Sequence, residues 1–437
     1  MLHRVRIPLI FLVAVAALLI VLRVAWIADA DGPSPTATAA EAALDARDAR
    51  DFQPPERPPI PADHWLIGTS NVADMYPAEV APKAPRELIA EHGPAYLERI
   101  GETRVMHLKG SYYDMGFQHG TLVKDEVQLG ARLMKVIGTF AWKKDFDASL
   151  REAWERTSPH IPEKYKQEMQ GIADASGLPL EDVQGFSIWP ELFHCSGFAV
   201  WGKATAEGAL LHGRVLDYMR EVGLNKWALL IIQEPDGANA FVNVSYSGFL
   251  GSVTGMNIKQ IGVGEMGGGG AEKWDGFPMS LLVREILESA NTLEDAQRIM
   301  TEAPRTCQYY YVISDAKADD GRGSAVGVAA EPDTIRFIAP NEHHDLLPRP
   351  VEDAVLLSAG GRYQCLVDRV EKMYGKVTPL IALDVMARGV SMKSNMHNAL
   401  FKPATLEIWV AHCTQHIPSC NRSYVHYDVK ELVAKRP

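Results

Sequence analysis

Apolar positions recur along this chain with two different periods, and the change from one to the other falls near residue 195. Before it, spacings of three and four predict helices over residues 113–139 and 162–176. After it, alternating or continuous apolar runs predict strands at residues 227–233, 240–245, 258–265, 309–314, 325–330 and 406–411. One further helix is predicted over residues 281–290, and Thr292 with Asp295 three residues on reads as the N-cap of the next. No internal repeat is visible, so helices followed by clustered strands point to an α+β chain.

At the change of period lie two short apolar runs, residues 197–202 and 208–215. They are separated by a break carrying Lys203, Glu207 and Gly208, which is a hairpin signal. Cys195 opens the first strand, while Arg214 and Asp217 close the second. Antiparallel pairing would therefore bring a thiol, a guanidinium and a carboxylate to one sheet end. A free cysteine has a pKa near ~8.5 and is mostly protonated at neutral pH. Arg214 would stabilise a thiolate, and a chain cut between His194 and Cys195 would give the thiol its own α-amine, pKa near ~8, as general base. Asp217 would then orient that amine. The structural alternatives are a small buried cysteine and a surface Arg214–Asp217 ion pair contributing under ~1 kcal/mol.

Cys195-Ser196 followed by Gly213-Arg214-Val215-Leu216-Asp217-Tyr218 resembles the N-terminal nucleophile hydrolases that include penicillin acyltransferase (peptidase family C45), choloylglycine hydrolases and acid ceramidase. Three further segments agree. Residues 108–120, from Leu108 to Gly120, are similar to the C45 opening motif; Glu168-Met169-Gln170-Gly171-Ile172-Ala173 follows; and Gly255-Met256-Asn257 leads to Ile261-Gly262-Val263. The resemblance spans residues 103–429. It implies a four-layer αββα sandwich with a helical N-terminal pro-segment, made as an inactive precursor that cuts itself before Cys195. Carried over, Cys195 is nucleophile and base, Arg214 assists at the thiolate, and Asp217 holds the α-amine. The family's oxyanion asparagines are replaced here: the glycine run 267–270 stands where one is expected, and residues 355–359 stand where the other is. Asn257, the backbone of Gly267 and Gly268, and Ser358 are therefore the candidates for oxyanion or substrate contacts. The resemblance implies no cofactor and no metal.

Composition bounds the rest. With 437 residues, 47% of them hydrophobic, the chain is long enough for a sizeable core. A net charge of −11 and no Lys/Arg run argue against a nucleic-acid partner. Arg4 and Arg6 precede an apolar run over residues 7–22, short for a bilayer span, and Ala28-Asp29-Ala30 is a small-x-small cleavage site. Export with removal of residues 1–30 is the first reading, and an uncleaved membrane anchor completed by residues 24–27 the second. Residues 31–62 are rich in Ala, Pro, Asp and Arg and read as a disordered linker. Residues 63–194 then form the α fragment and residues 195–437 the β fragment, which remain associated.

Five cysteines leave one over when paired. In an exported chain Cys413 would pair with Cys420, and a Cys307–Cys365 pair would leave Cys195 free. Zinc at His412, Cys413, His416 and Cys420 is the rival reading, weakened by the lack of a second paired knuckle. His119, His194, His212 and His397 read as loop or strand residues. Asn243-Val244-Ser245 and Asn421-Arg422-Ser423 are glycosylation sequons. The glycine run lacks the Lys and Ser/Thr of a phosphate loop. Together these readings describe an extracytoplasmic, self-processing cysteine hydrolase or acyltransferase acting on a small acyl amide or lipid-like substrate through a thioester on Cys195. A phospholipase B-like lipid acyl hydrolase and a non-catalytic binding protein on the same fold are the alternatives.

Overall fold

Two sheets carry the described residues of this computed structural model, which are 78–141, 146–188, 194–218, 223–269, 273–434 and 436. The residues read as leader and linker, and Gly270 of the glycine run, lie outside them. The first sheet has ten strands in the spatial order β1 (Arg86–His92), β2 (Ala95–Ile100), β3 (Thr103–Gly110), β6 (Ala228–Pro235), β7 (Phe241–Tyr246), β8 (Thr254–Asn257), β9 (Ile261–Gly267), β10 (Tyr309–Asp315), β11 (Ser324–Ala330) and β12 (Ile335–Ile338). The second has six, in the order β13 (Ala354–Leu357), β4 (His194–Val200), β5 (Leu211–Asp217), β14 (Asn395–Lys402), β15 (Glu407–His412) and β16 (Val425–Asp428). Every pairing is antiparallel except β3 with β6. Between those two the chain leaves the first sheet, crosses a helical stretch, lays the β4–β5 hairpin in the second sheet and returns.

The sheets pack face to face. Leu230, Ile232, Val242 and Val244 of the first meet Ala399, Phe401, Ile408 and Val410 of the second in one buried cluster. At the hairpin they approach so closely that a Cβ on Gly197 would lie 2.6 Å from the Met266 sulfur of β9. Helices α1 (Tyr112–Leu122), α2 (Lys124–Ala141), α3 (Phe146–Thr157), α4 (Glu163–Ser176), α5 (Leu180–Ile188), α6 (Met279–Ser289) and α7 (Leu293–Glu302) belong to the outer layer of the first sheet. Alternate strand residues Ile261, Val263, Tyr309, Tyr311 and Ile313 turn towards them. On the second sheet the outer layer is α8 (Gly360–Lys372) and α9 (Pro379–Val385). The architecture is the four-layer αββα sandwich that the resemblance implies.

The predicted helices and strands form close to their expected bounds. Thr292 caps α7 by accepting the Asp295 N–H at 3.1 Å. The helix expected over residues 113–139 is broken at Val123, whose backbone (φ −132°, ψ 35°) leaves the helical region. The region before Cys195 is not helical alone, because β1 to β3 precede α1 and extend the first sheet. His119 lies in α1 rather than in a loop or strand, buried and accepting the Gly248 N–H at 2.9 Å.

The motif residues 108–120 and 168–173 serve packing. A Cβ on Gly116 would lie 2.1 Å from the Glu168 carbonyl oxygen, and one on Gly171 2.2 Å from that of Tyr113, so α1 and α4 touch backbone to backbone only because both positions are glycine. Beside them Arg284 of α6, fully buried, binds Glu168 through two nitrogens at 2.9 and 2.6 Å and Glu288 at 2.8 Å. This network joins a helix from before the hairpin to one from after it.

The expected disulfides are corrected. None of the five cysteines is in a disulfide. Cys413 lies 3.7 Å from the Met396 sulfur and Cys420 3.6 Å from Asn421 Oδ1, so each thiol has another neighbour. Cys307 sits in the core under the helices of the first sheet, whereas Cys365 packs on the core of the second, which separates them by two layers. Among the described residues no group of three or more His, Cys, Asp and Glu side chains is arranged to hold a metal ion. Asn243 is fully buried, its amide bonded to Gly251 O at 2.9 Å and accepting from Ser252, so that sequon is closed to a glycan. Residues 1–30, read as a signal or anchor, lie outside the described residues, and among the described residues no helix is long and apolar enough to cross a membrane.

Candidate active site

The β4–β5 hairpin forms with Cys195 opposite Leu216, Gly197 opposite Arg214 and His194 opposite Asp217. Residues opposed in an antiparallel pair share a face. Cys195 and Arg214 therefore point between the sheets, while Ser196 and Asp217 point outwards to α8. The three predicted residues reach one sheet end, from its two faces. Arg214 and Asp217 do not pair with each other, and neither is a surface group, at 0% and 2% exposure.

Arg214 crosses to β9. Its Nε donates to the Glu265 carbonyl at 3.1 Å, and Nη2 lies 3.5 Å from the Glu265 carboxylate. The crossing needs Gly264, where a Cβ would stand 2.7 Å from Arg214 Cγ. Burial pushes the Glu265 carboxyl above its ordinary range, with Arg214 opposing. Arg214 Nη1 and Glu265 Oε1 both lack a hydrogen-bond partner although buried, which leaves one strong donor and one acceptor for whatever enters beside the thiol.

The Cys195 thiol, 5% exposed, is pushed up to about 12, chiefly by burial, with Arg214 and the N–H of Gly267 pulling the other way. At neutral pH it is a thiol, and attack on a carbonyl requires a base that takes its proton. The N–H of Gly267, a residue singled out from the glycine run, thus lies beside the Cys195 thiol. Gly268 is held against Gln308, whose carbonyl oxygen would be 2.1 Å from a Cβ there.

On the outer face the Asp217 carboxylate is gripped at both oxygens. Arg362 donates to Oδ2 at 2.9 Å and the Met392 N–H to Oδ1 at 2.9 Å. Burial still dominates and raises the carboxyl to about 6. Ser358 joins the same group: its hydroxyl is 2.6 Å from Ser196 Oγ, which also accepts from Arg362 at 3.3 Å. Asn395 borders it, donating to Leu216 O at 3.0 Å. Asn257 is elsewhere employed. Its amide donates to Leu287 O and Ala290 O and accepts from the N–H groups of Lys259 and Ile261, all at 2.9 to 3.0 Å, so it fastens the β8–β9 turn to the end of α6. No donor of Asn257 remains for an oxyanion.

Glu265, Arg362 and Asn395 were not singled out from the sequence. Two of them carried a signal. Glu265 is the one charged residue in the β9 run, and Arg362 places a cation in the first turn of a helix, where the macrodipole opposes it.

Comparison with known proteins agrees with the resemblance read from the motifs. Residues 206–339 match the family described as acyl-coenzyme A:6-aminopenicillanic acid acyl-transferase. The protein dcd1B of Dictyostelium discoideum is 25% identical over 363 residues, which cover 72% of this chain and 69% of that protein. Acid ceramidase of Rattus norvegicus is 28% identical over 191 residues, covering 37% of this chain and 47% of that protein. The matched region thus spans less than half of the ceramidase. Among solved structures, a Caenorhabditis elegans N-acylethanolamine-hydrolyzing acid amidase ortholog aligns at 13% identity and a TM-score of 0.39, covering 48% of this chain and 93% of that one.

Proposed function

We propose that this chain is a self-processing cysteine hydrolase or acyltransferase of the N-terminal nucleophile type, acting on an acyl amide through a thioester on Cys195. The observation that carries it is the arrangement at one sheet end: a buried protonated thiol beside an unsatisfied guanidinium nitrogen and the Gly267 N–H, with a clamped carboxylate opposite the preceding residue, His194. The acyl-transferase description of the matched family supports acyl transfer as the reaction class.

In the uncut chain the residue before the thiol blocks its nitrogen. Attack of the Cys195 sulfur on the His194 carbonyl carbon forms a thioester and breaks the peptide C–N bond, and the nitrogen takes up the thiol proton. Water then hydrolyses the thioester, leaving a carboxylate on His194 and a free α-amine and thiol on Cys195. In turnover the amine accepts the thiol proton, sulfur attacks the substrate carbonyl, and the ammonium returns the proton to the departing amine. Deacylation repeats the sequence with water or a second amine. Arg214 and the Gly267 N–H stabilise negative charge on the inner side, and Asp217 orients the amine from the outer side. The β3–β6 ladder and the Glu168–Arg284 pair support retention of both fragments after the cut. The proposal includes an extracytoplasmic location, supported by the N-terminal apolar run.

Intact mass of the purified chain, with an acyl-amide and acyl-ester substrate panel, tests the reading. The expected result is a fragment beginning at Cys195 and amide turnover that Cys195→Ala abolishes. Turnover by a chain that remains uncut would overturn the N-terminal nucleophile mechanism; ester turnover alone would favour the lipid acyl hydrolase.

A further inference from the structure

Helix α8 carries a second arginine two turns after Arg362, on the same face. Arg369 is 1% exposed, and its guanidinium donates to successive carbonyls of one loop: Val385 O at 2.8 Å, Ala387 O at 3.0 Å and Arg388 O at 2.5 Å. Burying a cation is costly unless its donors are met, and here the backbone of residues 384–388 accepts from both terminal nitrogens. The loop is closed further by Ser391, whose hydroxyl donates to Met386 O at 2.5 Å and whose N–H donates to Ala387 O at 3.2 Å. At its turn Gly389 has φ +103°, and a Cβ there would lie 2.9 Å from Cys365 Sγ and 3.2 Å from Arg369 Nη2. The residue after Ser391 is Met392, whose N–H holds Asp217 Oδ1.

We propose that Arg369 is a positioning residue for Asp217: it shapes loop 384–391 so that the Met392 N–H is aimed at the carboxylate. The proposal rests on the role given to Asp217 above. Helix α8 then fixes both carboxylate oxygens, one directly through Arg362 and one through Arg369 and the loop. The carboxylate keeps one orientation, facing the nitrogen of Cys195. The charged and titratable groups acting on Asp217 are Arg362 of α8 and Cys420 of the turn after β15, with Arg214 and Cys195 reaching it through the sheet. The loop contributes an N–H dipole to that set. Losing it removes a bond to the ionised form and moves the carboxyl further up.

The test compares full-length wild type, Arg369→Lys, Arg369→Ala and Gly389→Ala. Thermal melting is recorded, and the rate of Cys195 alkylation by iodoacetamide is followed by peptide mass from pH 5 to 9. The lysine and Gly389→Ala variants are expected to melt cooperatively and to move the acid limb up by about half to one pH unit, so that Cys195 alkylates about threefold to tenfold more slowly near pH 5 and about twofold or less more slowly at pH 7. Guanidinium added to Arg369→Ala should restore part of the rate and leave Gly389→Ala unchanged. Folded variants with the wild-type pH profile would overturn the proposal, and if Arg369→Ala does not fold, the other two variants decide it. Intact mass of the wild type separates the two readings: an uncut chain counts against the proposed function, whereas an unmoved profile in a cut chain counts against Arg369 alone.

Discussion

Replacing Asp217 with asparagine should make the fold more stable at neutral pH while destroying the site. Raising a buried carboxyl from its ordinary 3.8 to about 6 costs the folded state about 3 kcal/mol at pH 7, at ~1.4 kcal/mol for each tenfold change in proton affinity. Between pH 4 and 6 the folded chain keeps a proton on Asp217 that the unfolded chain has released. Stability therefore falls as pH rises through that window and is level above it. Asparagine carries no such dependence. Its amide NH₂ must face either Arg362 or the Met392 N–H, a mismatch of about 1 kcal/mol that is independent of pH. Both proteins should be compared in a Cys195→Ala background, so that neither is cut and the thiol does not titrate. Urea unfolding at pH 4, 5, 6 and 7 should show the protein that keeps Asp217 losing about 2.4 kcal/mol relative to the Asp217→Asn variant between pH 4 and 7. A difference that is flat, or that grows in favour of Asp217 as pH rises, would refute the reasoning. It would mean that Arg362 and the Met392 N–H outweigh burial and hold the carboxyl below its ordinary value.

Four further outcomes are expected. Glu168→Ala leaves the buried Arg284 with Glu288 alone and should cost ~3–5 kcal/mol, read as a lower urea midpoint at unchanged slope. Gly171→Ala drives a methyl to 2.2 Å from the Tyr113 carbonyl oxygen and should cost ~1–3 kcal/mol. Gly361→Ala, with no atom within 4 Å of its new Cβ, should melt at or slightly above wild type. Peptide mapping without reductant should recover all five cysteines outside any disulfide; a Cys413–Cys420 crosslink would contradict the geometry.

What could be read from the sequence was what neighbouring residues decide together. The hairpin at Cys195 is local, and its break and flanking residues set the register that carries Cys195, Arg214 and Asp217 to one end. The Thr292 cap is local too. Spacing misled where a side chain's partners come from elsewhere: Cys413 and Cys420 are seven apart but face Met396 and Asn421, and Asn257 looked available until the end of α6 was known to lie against it. Glu265, Arg362 and Asn395 belong to strands and a helix 48 or more residues beyond Asp217, and only the stacking of two sheets brings them in. Of the three strands before α1, β1 is largely exposed and has no buried face to impose alternation, while β2 and β3 bury Glu98 and His107 among their apolar residues, which breaks the pattern.

The two faces of the hairpin explain how one short segment can carry opposed requirements. In the proposed mechanism the nucleophile needs cationic help, and Cys195 lies with Arg214 in the space between the sheets, where Gly197 and Gly264 leave room and burial keeps the thiol protonated. The carboxylate proposed to orient a nitrogen needs fixed bonds, and Asp217 has them on the outer face, where α8 packs. Because side chains alternate along a strand, an odd separation puts two residues on opposite faces. The three-residue step from Arg214 to Asp217 thus sends one charge to each side of the sheet and keeps the pair from neutralising each other. A four-residue step would put both charges between the sheets, where they would pair and leave the thiol without its guanidinium.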